Sequence, residues 1–173
     1  MTMRFLTLPA NKLSSKRSLI GVGSLGSRIY FAGGEQRMST NDPNIVDTFF
    51  DTIDYFDADS MSMGVLTQKL SVARSRIAAA VVDGTLLLVG GLGSSSAASR
   101  AIDSFDGVAW RALASLDAST PLVNARVVAY GGIAVFAGGS TWSRTANVNP
   151  THIVIYEPGL KKTKNDNIIQ KCY

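Results

Sequence analysis

GVGSLG, residues 21–26, is the segment whose spacing points most directly at chemistry. Gly21, Gly23 and Gly26 fit G-x-G-x-x-G, whose glycines let a backbone approach a pyrophosphate at a helix N-terminus. That chemistry needs a helix opening at the motif and an acidic residue about 20 positions on. Here the motif runs into SRIYFAGG, a strand-like run with a further glycine pair, and Asp42 and Asp47 lie in a polar stretch. Gly26 reads instead as half of a hairpin turn with Ser27. Asp57 and Asp59 could be a carboxylate pair for glycoside cleavage, but aspartates of this kind also make turns between strands. GLGSSSAASR, residues 91–100, lacks the G-K-[ST] of a phosphate loop and reads as a flexible connection. His152 is the only histidine and Cys172 the only cysteine of the 173 residues. A disulfide framework, a cysteine zinc site and a His–His pair are therefore excluded within one chain. The sequence assigns no catalytic residue, no metal ligand and no cofactor, and the expectation is a protein that is not an enzyme.

SFDGVAW, residues 104–110, is a near miss to the S-x-D-x-G-x-T-W box, with its glycine one place early. It reads as a hairpin turning at Asp106-Gly107. The net charge of +4 is uneven. The final segment, 161–173, holds four lysines against one aspartate, so the remainder is nearly neutral. That argues against a nucleic-acid face, and the segment reads as a basic, solvated tail. The N-terminus lacks the apolar run of a signal peptide. The apolar stretch 77–92 is cut by Asp83-Gly84, which suits a hairpin and not a membrane span. A cytoplasmic protein is the expectation.

The elements that must position any site come in repeats. RIYFAGG (28–34), TLLLVGG (85–91) and IAVFAGG (133–139) each end in a glycine pair. Each follows a two-residue turn (Gly26-Ser27, Asp83-Gly84, Gly131-Gly132) and an earlier apolar run. After each glycine pair comes a polar loop, then a third run, TIDYFD, AIDSFD or HIVIYE. Fourth runs, 62–66 and 108–113, follow in the first two units. Four short strands in about 50 residues is the pattern of a propeller blade.

These residues resemble the kelch repeat. The likeness rests on Gly33-Gly34, Gly90-Gly91 and Gly138-Gly139, on Phe56-Asp57, Phe105-Asp106 and Tyr156-Glu157, and on Trp110 in the fourth strand. Arg17 and Arg74 each lie 16 residues before their glycine pair. Met61 or Met63 stands where the first unit should have tryptophan, and Leu122 where the third should have arginine. The resemblance implies an all-β fold, with repeats at about 13–66, 70–116 and 122–158 inside a domain 1–160. Residues 3–9 read as an orphan outer strand, and the third unit shows no fourth strand of its own. Three blade equivalents imply an incomplete propeller, or half of a six-blade ring closed by a homodimer.

The resemblance further implies a protein-interaction module whose loops between second and third strands (35–51, 92–100, 140–151) meet a protein partner. Arg37, Asn41, Arg100, Trp142 and Arg144 are the candidate contacts, since arginine and aromatic side chains on loops are common binding anchors. The alternative is a fragment of a carbohydrate-active or oxidase-type propeller enzyme. The copper site of galactose oxidase, which shares such blades, needs two histidines. The six recurring aromatics Tyr30, Phe31, Phe56, Phe105, Phe136 and Tyr156 are expected in the core between units.

Overall fold

The computed structural model describes residues 12–37, 47–94, 97–113, 115–116, 122–140, 153–158 and 168–171, and its regular structure is all β. The first unit comprises β1 (Gly21–Leu25), β2 (Arg28–Ala32), β3 (Glu35–Gln36), β4 (Thr48–Phe49), β5 (Ile53–Asp57) and β6 (Ser62–Val65). The second comprises β7 (Arg74–Ser75), β8 (Ala78–Val82), β9 (Thr85–Val89), β10 (Leu92–Gly93), β11 (Ile102–Phe105) and β12 (Trp110–Ala112). The third comprises β13 (Arg126–Tyr130), β14 (Ile133–Ala137), β15 (Ile153–Tyr156) and β16 (Ile168–Lys171).

Three antiparallel four-stranded sheets result: β1-β2-β5-β6, β8-β9-β11-β12 and β13-β14-β15-β16. β3 pairs with β4, and β7 with β10, as short ribbons. Each sheet opens on a two-residue hairpin whose turn holds residues at positive φ, such as Asp83 and Gly84. This is the backbone that matches strand twist. The run 77–92 is therefore a hairpin, and among the described residues no helix is long and apolar enough to cross a membrane.

The sheets stack face to face, and β8 packs against both β1 and β13. The middle sheet is apolar on both faces. Leu86 and Leu88 join Tyr30, Ile53, Ile77 and Phe105 in the first seam, while Leu87 and Val89 join Leu122, Phe136 and Val154 in the second. Period-2 alternation thus sends each half of TLLLV to a different neighbour. In the first seam Tyr30 meets the Phe105 ring edge-on at 5.3 Å, and Phe105 stacks on Trp110 at 4.8 Å. Gly21 and Gly23 belong to strand β1 and open no helix. A Cβ at Gly23 would overlap Leu86, and one at Gly21 would lie 3.1 Å from Ile77. Close packing, not a pyrophosphate, explains both glycines.

Three expectations are revised by the strand pairings. The third sheet does have a fourth strand, β16, which lies within the segment read as a basic tail and pairs along β15. Met63, not Met61, holds the place of Trp110: it pairs with Phe56 as Trp110 does with Phe105. Four of the six recurring aromatics are buried, but Phe31 and Phe56 are only half-buried. They lie on the face of the first sheet opposite the seam, where no further sheet covers them among the described residues. The stretch 3–9 lies outside the described residues.

Candidate functional site

Register makes the three sheets equivalent residue by residue. Phe31 pairs with Asp54, Leu88 with Asp103 and Phe136 with Val154. Arg17 and Arg74 reach these aspartates across their own sheets. Arg74 Nη1 lies 2.7 Å from Asp103 Oδ2 with both side chains enclosed, and its other nitrogens donate to the carbonyls of Gly90 and Leu88. Arg17 Nη2 lies 2.6 Å from Asp54 Oδ2 and also donates to Phe31 O. Ser71 and Ser14, each three residues before its arginine, donate their backbone N–H to the same aspartates. Burial pulls the Arg74 guanidinium below its ordinary range, against the pull of Asp103. In the third sheet the equivalent residues are Leu122 and Val154, both buried and in contact with the second core. A charged clamp and an apolar pair therefore fill the same place.

These clamps fix the end of the array from which the second strands exit into the loops. There the glycine pairs take positive φ, near +65° at Gly33 and Gly90 and near +110° at Gly34 and Gly91. A Cβ on Gly33 would overlap the carbonyl oxygen of Arg74, and one on Gly90 that of Leu122. In the first two pairs the second glycine donates its N–H to the same carbonyl, Gly34 to Arg74 and Gly91 to Leu122. Each of the first two glycine pairs is thus the socket for the next sheet's entry strand.

One step further along, Leu19, Arg76 and Asn124 hold left-handed backbone, a costly state for residues other than glycine. They form a row across the three sheets: Arg76 N–H donates to Leu19 O, and Asn124 N–H to Arg76 O. Leu19 and Asn124 are exposed. This row was not singled out from the sequence. The signal that would have found it is the recurrent S-x-x-R-x-x at 14–19 and 71–76.

Glu35 sits beside the row and joins two sheets. It is fully buried, accepts from Ser75 Oγ at 2.6 Å and from Arg37 Nε, and pairs with Arg76 at 3.5 Å. Burial alone would push its carboxyl up, but the Ser75 and Arg37 hydrogen bonds and the Arg37 and Arg76 charges outweigh it. The group is held below its ordinary value of 4.5. Its contribution to stability is then complete above that value and lost as pH falls through the lower folded one. In urea unfolding from pH 6 down to pH 3, the wild type should lose stability more steeply than Glu35→Gln. Parallel pH profiles would exclude an ionised, paired Glu35.

The expected contacts divide. Arg37 is half-exposed and already engaged with Glu35, and it lies 3.7 Å from Asp47. It therefore props the base of its loop besides presenting charge. Arg100 is exposed at the end of the second loop. Asn41, Trp142 and Arg144 lie outside the described residues, as does His152. Trp110 stacks on Phe105, and the first two glycine pairs seat entry strands, as described above. Asp57 is engaged in a turn: Arg28 binds it at 2.9 Å, and it caps the N–H groups of Ser60 and Asp59. These bonds, Arg28 first, hold its carboxyl low. Asp106 likewise caps Ala109 and Val108 and pairs with Arg111. Among the described residues no group of three His, Cys, Asp or Glu side chains could hold a metal ion. A cleft of about 250 Å³ lies elsewhere, between the 12–14 segment and Asp54, Met63 and Val65 on the first sheet's outer face.

No family model matches the chain, and no curated protein matches it. Among solved structures the fold is similar to that of YjhT, with a TM-score of 0.68 at 12% sequence identity. The likeness covers 90% of this chain and 52% of that one, so the chain spans about half the length of YjhT. At that identity the likeness is one of fold: an all-β array of small antiparallel sheets.

Proposed function

We propose that the chain is a set of three kelch-like propeller blades that display their second-to-third-strand loops to a protein partner. The observation that carries this reading is the shared construction of the loop bases. Two glycine sockets, two Arg–Asp clamps and the Glu35 bridge make one end of the array rigid, and the polar connections leave from that end. Rigid sheets with variable loops suit recognition, since the loops then bind without a large ordering cost. The sequential pairing of each entry strand with the preceding glycine pair supports a radial arrangement of blades. Arg37 and Arg100 present positive charge on this end, and Leu19 an exposed apolar side chain.

The test compares wild type with Arg100→Glu as bait in affinity capture, read by quantitative mass spectrometry. A partner enriched by wild type should fall at least tenfold with Arg100→Glu while the melting temperature stays unchanged. Capture indifferent to charge reversal at both Arg37 and Arg100 would overturn the reading.

A further inference from the structure

The third glycine pair is built like the other two, but among the described residues nothing seats on it. Gly138 has φ near +70°, as Gly33 and Gly90 do, yet a Cβ placed on it would meet no atom within 4 Å. Among the described residues, no carbonyl accepts from the N–H of Gly139, whose equivalents Gly34 and Gly91 both donate to the next sheet. The face above this empty socket is apolar and open. Val128 is 70% exposed, Tyr130 85% and Ile153 37%, and Val135 and Ile155 are half-buried beside them. At the other end of the stack, on the opposite kind of face, Val22, Ile29 and Val65 are exposed and Phe31 and Phe56 half-buried beside them.

These two faces are not alike. Val135 stands where Tyr30 and Leu87 stand, on the face that receives a following sheet. Phe31 stands where Leu88 and Phe136 stand, on the face that enters a preceding one. They are the two halves of the seam that the chain makes twice within itself, so they complement each other and not themselves. Association through them is head to tail.

We propose that a second copy of this chain occupies the third socket. The Arg17 carbonyl of one copy seats on Gly138–Gly139 of the other, where Arg74 O and Leu122 O seat on the earlier pairs. Leu19 N–H of that copy donates to Asn124 O, continuing the row of left-handed residues. Because the same seam recurs at the other end, two copies close on themselves as six sheets; this closure rests on the propeller reading above. The solved fold that resembles the chain is about twice as long, which is the amount of polypeptide two copies supply. β13 carries Arg126, Val128 and Tyr130 where β1 carries Gly21, Gly23 and Leu25. The seam between copies is therefore set wider at the inner strands than the seams within each.

The test is size-exclusion with light scattering on the full chain in reducing buffer. Wild type should run as one species of twice the 18.4 kDa chain mass. Gly138→Asn should convert it to monomer with an unchanged circular dichroism spectrum. Asparagine tolerates left-handed backbone, and its Cβ has room in one chain but would overlap the incoming carbonyl. Val22→Lys, on the opposite face, should do the same and decides the matter if Gly138→Asn fails to fold. A wild-type monomer overturns the second copy as occupant and leaves the propeller reading standing. An open ladder of larger species overturns closure and that reading together. A dimer that survives either substitution in a folded chain overturns the seam.

Discussion

Arg74→Leu alone should lower folding stability by about 3–5 kcal/mol, and adding Asp103→Val should recover most of that loss. The single change strands Asp103 as a buried carboxylate, leaving only the Ser71 hydrogen bonds. It also removes the donors from the carbonyls of Gly90 and Leu88. An uncompensated buried charge costs far more than a buried ion pair contributes, because each ion has already given up its hydration. The double change copies the third sheet, where Leu122 and Val154 fill the same place without charge. Urea unfolding of the two variants and the wild type at pH 7 measures this. Equal losses in the single and double variants would mean that the clamp's hydrogen bonds to backbone, and not its charge balance, hold the sheet.

In a monomeric background carrying Val22→Lys, Gly90→Ala should cost about 2–5 kcal/mol, while Gly138→Ala costs only about 1–2. Both glycines sit near φ +65 to +70°, so both variants carry the strain of left-handed alanine. Within one chain, of these two only Gly90 lies against a backbone carbonyl, that of Leu122, which must retreat and drag the third sheet's entry strand with it. Backbone cannot yield as a flexible side chain does, so the overlap adds an overpacking cost. Thermal unfolding of the two variants side by side gives the difference. Equal destabilisation would mean that strain, and not the socket, is what glycine relieves at these positions.

Much of the framework is legible in the sequence because its signals are local. Gly26-Ser27, Asp83-Gly84 and Gly131-Gly132 mark the hairpins. The three apolar runs that end in glycine pairs become β2, β9 and β14, ending one residue before each pair. β16 was hidden because IIQK is short and sits among lysines and asparagines. Its strand state comes from pairing with β15, a long-range effect that local composition does not carry. The arginines before the glycine pairs stood out by spacing, but their aspartate partners did not: Asp54 and Asp103 lie 37 and 29 residues away, and the intervening loops differ in length. Glu35 was likewise invisible. Its position follows a glycine pair as Leu92 and Ser140 do, so nothing in the repeat demanded an acid there. Of the candidate contacts, Arg100 is exposed, whereas Arg37 is also tied to Glu35.

Amide hydrogen exchange at the glycines checks that the first two glycine pairs seat the entry strands of the sheets that follow them. Gly34 and Gly91 donate across the seams at 2.9 and 2.8 Å, while Gly26 and Gly84 sit at exposed hairpin turns. Resolved by NMR, the Gly34 and Gly91 amides should exchange at least a hundredfold more slowly than those of Gly26 and Gly84, since a buried seam opens only with larger unfolding. Exchange at Gly34 and Gly91 as fast as at the hairpin turns would contradict the stacked array.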